Sequence, residues 1–499
     1  MRKMMKRVGA IIASVVITLS SSIVASAETG YTYNYDFWDD VQYSPDAYSV
    51  AGVYTSADLG LDKKLNMPAG MYVNGNMLYI CDTNNNRIVE LERYDVDQFM
   101  IRRIIDTISG DTDKTTLNGP TDIAISENGY IFICDKNNER IIKLDNDLRL
   151  ITSFVKPQDA NFDQNLSFLP HKLIIDRADR VYCIATNVNK GLIKFEPDGE
   201  FSGFVGATPV SYTFVDYIKK KLATKAQRDQ MESFTPTEYD NIYVDDDGFM
   251  YAVTNNLSQE DIRSGAVNPV RKINLKGNDI LVRNGNQRII GDIYFDAGGG
   301  VDGPSRFIDV TAFDNEVYTV LDKNRGRLFS YDDQGRMLWC FGGVGNSNGR
   351  FKNAIALEHM GYDLLVLDQQ NGSITIFTPT EFGKKVYQAL DQFQNGDYAG
   401  SGASWQEVID LNGNYDLAYI GIGRTLFRQK RYKEALEYFE LKYDRDNYSK
   451  AYKQYRKVWV EENIVLIVIL LAVIIFVPLI VGRLKRIKFQ IDTADIFRE

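Results

Sequence analysis

The residues best able to do chemistry recur at one place in a repeated piece of sequence. MPAGMYV from Met67, GPTDIAI from Gly119, LPHKLII from Leu169, TPTEYDNIYV from Thr235, GPSRFIDV from Gly303 and KNAIAL from Lys352 are six copies of that piece. Just after the proline, or at the matching place, stand Asp122, His171, Lys172, Glu238, Arg306 and Asn353. Both signs of charge and an imidazole, gathered on one rim, suit a polar ligand such as a carbohydrate or a peptide. The competing reading is ordinary solvated loop tips. The chain has two histidines, His171 and His359, too few for a multi-histidine metal site. No Gly-x-Ser-x-Gly elbow, phosphate loop or His-Glu-x-x-His occurs. No catalytic residue, resident metal or cofactor is therefore assigned.

The elements that must position these residues are short strands. Downstream of each copy comes a second recurring piece. Residues 78–88, LYICDTNNNRI, return as IFICDKNNERI at 131–141, with looser copies from Val181, Met250, Val317 and Leu364. Each unit reads as a strand, a Gly/Asn/Asp turn, a strand ending in Asp or Asn, a polar loop and two further strands. Four-stranded units repeating at roughly 50 residues predict the blades of a six-bladed β-propeller, a mainly β fold. The sixth unit ends after its third strand, near Phe377. The segment 47–54 can supply the missing outer strand and so close the ring without an open edge. A helical insert is expected at 212–231.

The spacing Asp82-x-x-Asn85-x-Arg87 and Asp135-x-x-Asn138-x-Arg140, with partial copies at Asp322 and Asp368, resembles the NHL repeat, a propeller blade type. The resemblance covers 65–377. Repetition in several blades makes these loop residues architecture rather than a unique site. Cys81, Cys134 and Cys183 are read as occupying matching places in successive blades, as small buried hydrophobes too far apart to bridge. Some six-bladed propellers are metal-dependent lactonases with carboxylates and Asn around Ca²⁺. Glu238, Asp122 and Asn353 could serve that way, which makes a lactonase-like hydrolase the alternative function.

The ends differ from the middle. MRKMMKR, an apolar run and Ala25-Ser-Ala27 form a signal-peptide pattern over 1–27. The segment 28–64 follows, then the propeller at 65–380. Residues 464–481, IVLIVILLAVIIFVPLIV, carry no charge and as a helix reach ~27 Å, close to the hydrocarbon thickness. Arg483, Lys485, Arg486 and Lys488 follow directly and place the tail 482–499 in the cytoplasm. The net charge is −10, and both ends are basic, so the segment between them is more acidic still. That excludes a general nucleic-acid binder. Four cysteines in 499 residues exclude a disulfide scaffold and suit an exported protein of a Gram-positive bacterium.

Between ring and span, 381–463 turns helical. Ala389 and Gly423, Tyr398 and Tyr432, Trp405 and Phe439, and Asp410 and Asp444 are each 34 residues apart, a period that resembles tetratricopeptide repeats. The module is read as a stalk, the alternative being a docking surface. The whole arrangement, with the stretches 223–228 and 236–241, resembles a group of membrane-anchored Firmicute proteins associated with sugar ABC transporters. The resemblance implies a non-catalytic binding or scaffold protein of the outer membrane face. Its partners would be membrane proteins such as a transporter permease and a polar ligand such as a carbohydrate or peptide.

Overall fold

The computed structural model describes residues 32–95, 98–159, 162–186, 188, 190–206, 239–295 and 301–496. The expected signal peptide, the insert at 212–231 and Glu238 lie outside these residues. The chain divides into two compact units, Met1–Tyr387 with Leu411–Asn414, and Gln388–Asp410 with Tyr415–Glu499.

The first unit is a six-bladed propeller. Its innermost strands are Gly70–Asn74, Pro120–Ile125, Pro170–Ile175, Asn241–Val244, Phe307–Ala312 and Ala354–Met360. Each touches the next in order, and the last touches the first, so the ring is closed. Alternation of apolar residues buries both faces of each blade, and neighbouring blades share cores. Ile80 and Val89 of blade 1 pack with Leu365 and Ile374 of blade 6. Cys81 and Ile88 pack with Ile131 and Ile133 of blade 2. Each such side chain contributes about 1.5–3 kcal/mol by leaving water.

The blades are not uniform. Blades 1 to 3 have four antiparallel strands each. In blade 6 the outer strand is Tyr48–Thr55, from before blade 1, paired along Ser373–Pro379. Blade 4 has three strands among the described residues, and its helix Gln259–Ser264 is capped by the Ser258 side chain. Blade 5 gains two strands that the repeat does not announce. Thr32–Tyr35 lies against Met337–Gly342 through Tyr33 and Cys340, and Val41–Ser44 pairs with it in turn. Tyr35 and Arg327 reach the buried carboxylate of Asp292 at 3.0 and 2.6 Å, which pins this added edge.

The cysteines need one correction. Cys81 and Cys134 pair with Gly70 and Asp122, but Cys183 pairs with Leu173, one place out of register. Strand side chains alternate, so Cys183 faces the opposite side of its blade. All four cysteines are buried and free.

In the second unit, helices Asp416–Arg428 and Tyr432–Leu441 precede the long helix Arg445–Ile496. A Cβ on Gly423 would lie 2.7 Å from the Phe439 ring, and one on Gly421 would enter Trp405. Glycine is thus what lets these helices approach. The long helix contains an 18-residue window of mean hydropathy 3.7 with none of it buried. Soluble packing leaves no partner for such a surface, whereas a bilayer supplies one.

Candidate ligand channel

Because strand side chains alternate, every second residue of an innermost strand lies on the same face of its blade. Register places these residues in rows. Gly70, Asp122, Lys172, Asn241, Asp309 and Ala356 are equivalent, opposite Cys81, Cys134, Ile184, Val253, Leu321 and Leu367. Two residues on, the second row is Tyr72, Ala124, Ile174, Tyr243, Thr311 and Glu358. The third is Asn74, Ser126, Asp176, Asp245, Phe313 and Met360. Most of these side chains line a cavity of about 840 Å³ that extends to the turns after the innermost strands.

The first row is a buried polar network. Lys172 Nζ lies 3.6 Å from Asp122 Oδ1. Asp122 Oδ2 accepts the Leu173 N–H at 2.9 Å, which ties blade 2 to blade 3. Asp309 does the same between blades 5 and 6, accepting the Leu357 N–H at 2.7 Å. It also accepts Asn241 Nδ2 at 2.5 Å and its own strand's Val310 N–H at 2.8 Å. Close approach needs Gly70 here, since a Cβ would stand 2.4 Å from the Thr121 carbonyl oxygen and 3.2 Å from Asp122 Oδ1.

Burial governs the protonation of this network. It pushes the Asp309 carboxyl up to about 6, partly offset by Lys172 and by the two N–H donors. It raises Asp122 for the same reason, again opposed by Lys172. Glu358 is driven well above the carboxylate range by burial and then by the Asp309 charge. Burial works against the Lys172 ammonium, but the charges of Asp122 and then Asp309 lead those that outweigh it and keep it charged. Next along the strand from Glu358, His359 Nδ1 lies 2.6 Å from Thr311 Oγ1, and burial lowers the His359 pKa to about 4.

The rim residues read from the sequence separate into two groups. Asp122 and Lys172 line the cavity. His171 does not, although it is Lys172's neighbour. It sits at a register shift between Pro170 and Lys172, and the extra residue of that bulge is lifted out of the row. Its Nδ1 is buried without a hydrogen-bond partner, and burial lowers its pKa to about 3. Arg306 is exposed, and its backbone N–H donates to Asp322. Asn353 donates from Nδ2 to Gln369 Oε1 at 2.9 Å. Neither lines the cavity. Asn241, Asp309 and Glu358, which do, were not singled out by the sequence reading. The signal that finds them is the two-residue alternation counted from Asp122, rather than the distance from proline.

The repeated loop residues form clamps. Asp82 accepts the Asn66 N–H at 2.7 Å, Asn85 Nδ2 at 2.8 Å and Arg87 Nε at 2.8 Å. Arg87 extends to Asp62 and to the Lys63 carbonyl. Asp135, Asn138 and Arg140 repeat this around Asn118, Asp111 and Lys114. Asp322 and Asp368 hold the N–H groups of Arg306 and Lys352. Each clamp fastens the chain entering an innermost strand to the loop after the second strand, and so sets where the channel residues stand.

No family model and no curated protein matches the sequence. Solved structures do match. Virginiamycin B lyase from Staphylococcus aureus is 10% identical, with 71% of this chain and 89% of that one covered and a TM-score of 0.38. A streptogramin B lyase is 11% identical over 71% and 88%, with a TM-score of 0.36. A protein of unknown function from Bacteroides thetaiotaomicron is 10% identical over 70% and 75%, with a TM-score of 0.39. At such identities no activity carries over, and the six-bladed ring rests on the strand pairing itself.

Proposed function

We propose that the protein is a membrane-anchored binding protein whose propeller takes up a small polar ligand in the axial channel. The observation that carries this is the cavity of about 840 Å³ with a buried, charged first row and aromatic walls. Cavities of this size enclose small molecules, with a few placed polar groups fixing orientation. The long apolar helix supports anchoring, and the basic residues after it support a cytoplasmic tail. The sequence resemblance suggests a place beside a sugar ABC-transporter permease, with the 34-residue helical module as stalk or docking element. The lactonase-like alternative would need a divalent cation where the Lys172 ammonium already stands among the carboxylates, and among the described residues no metal-binding group of three His, Cys, Asp or Glu side chains occurs.

Affinity purification of the tagged full-length chain in mild detergent, followed by mass spectrometry, tests the partner. A stoichiometric permease supports the accessory role, and a clean monomer contradicts it. Substitution of Tyr243 by Ala tests the channel, because it should weaken capture of a carbohydrate ligand by tenfold or more while the protein stays folded.

A further inference from the structure

We propose that the ligand of the channel carries a protonated amine or guanidinium, seated against Glu358 and Asp309. The inference rests on the reading of the cavity as the binding site and adds the chemistry of what fills it.

At the outer turns several carboxylates have a cation beside them, while Asp246 and Asp314 line the cavity there too. Asp176 is held by Arg180 at 2.6 Å, Asp245 lies 3.4 Å from Lys272, and Glu127 lies 3.3 Å from Arg177. Deeper in, three carboxylates share one ammonium. Asp122 has Lys172 as its direct partner. Asp309 is hydrogen-bonded, but its close donors are an amide side chain and two backbone N–H groups, none of which cancels its charge. Glu358 lines the same cavity; its carboxyl is met by the His359 backbone N–H, and no ion pair to it occurs among the described residues. A carboxyl that opens on a cavity with a single backbone donor keeps acceptor capacity that a ligand's N–H can take up.

The space beside Glu358 fits this. Its strand carries Ala356 in the first row, and the adjoining blade carries Gly70, so that side of the row holds no bulk. Tyr72 and Tyr243 share its row, and Phe313 stands one row outward. Aromatic faces beside carboxylates suit a cation with an apolar body.

Without a ligand, the surplus of negative charge is met by protons. The groups facing Glu358 are Asp122, Lys172, Asp309, Tyr72 and Tyr243, with His359 neutral next along its strand. Burial and the Asp309 charge hold Glu358 in its protonated form far above the ordinary carboxylate range. An arriving ammonium favours the carboxylate, and the carboxyl proton passes to solvent as the ion pair forms. Affinity should therefore rise with pH until the carboxyls of the empty site are ionised.

The test is calorimetry on the full-length protein in detergent, with a glucosamine trisaccharide and spermidine as amine probes and the N-acetylated trisaccharide as the neutral counterpart. Titrations in two buffers of different ionisation heat count protons released. The amine trisaccharide should bind at least tenfold more tightly than its neutral counterpart, with proton release. Glu358→Gln should cut amine affinity at least tenfold and remove that release, while Glu358→Asp retains part of both. A neutral trisaccharide that binds as well as the amine, insensitive to Glu358→Gln, would overturn the charge assignment and leave the cavity reading standing. No binding of any probe would count against both.

Discussion

The clamp aspartates and the channel carboxylates are both buried acids of the same propeller, and they differ in how completely they are satisfied. Asp82 and Asp135 are fully buried, and each is met by a guanidinium, an amide and a backbone N–H. Glu358 has no side-chain donor, and Asp309 has donors without a direct counter-charge. The first kind recurs from blade to blade; Glu358 occurs where its row is otherwise Tyr, Ala, Ile and Thr. Fully paired, repeated acids such as Asp82 and Asp135 hold the ring, and the sparsely paired, unrepeated Glu358 is available to a ligand.

The sharpest way to break this comparison is to damage a clamp. Asp135→Ala leaves the Arg140 guanidinium and the Asn118 N–H without their buried partner, at a cost of about 3–5 kcal/mol. Thermal melts should show a loss of several degrees, and an unchanged melt would remove the clamps' structural role.

Acid addresses the channel wall. His359 is held neutral down to about 4, so below pH 6.5 the unfolded chain takes up a proton that the folded chain refuses. That costs on the order of 3 kcal/mol between pH 6.5 and 4. His359→Phe should therefore gain stability relative to the parent as pH falls through this window. A constant difference across pH would show that His359 titrates normally in the fold.

Two smaller effects refine the picture. Gly423→Ala must push Phe439 aside and should cost the helical unit about 1–3 kcal/mol, readable as an earlier helical melt by circular dichroism. Glu139 occupies a left-handed backbone position that its counterpart in blade 1 fills with Asn86. Glu139→Asn should stabilise blade 2 by up to about 1 kcal/mol, since Asn tolerates that conformation better. A loss on that substitution would mean that Glu139 makes contacts beyond its turn.

Much of the fold was legible because the clamp motif and the strand alternation repeat. The six units, and the donation of an N-terminal strand to blade 6, follow from counting strands between Asp82 and Phe377. The two strands added to blade 5 were not legible, because Thr32–Tyr35 and Val41–Ser44 belong to no repeat and pair by edge geometry alone. The candidate site was half legible. Asp122 and Lys172 stand two residues after their prolines, close to where the rim reading looked. Asn241 and Asp309 were hidden by differing offsets from the proline, and the bulges at Thr121, His171, Ile308 and Ile355 shift the face presented by the residue before each row. Glu358 was hidden by its place one row outward, just beyond the recurring piece KNAIAL at 352–357.

The central claim is that Glu358 serves a ligand and not the fold, and the melting temperature of Glu358→Gln at pH 7.5 tests it most directly. Replacing this protonated carboxyl by a neutral amide of the same shape should leave the melt unchanged or raise it by a degree or two. A drop comparable to that of Asp135→Ala would contradict the account and make Glu358 one more structural acid.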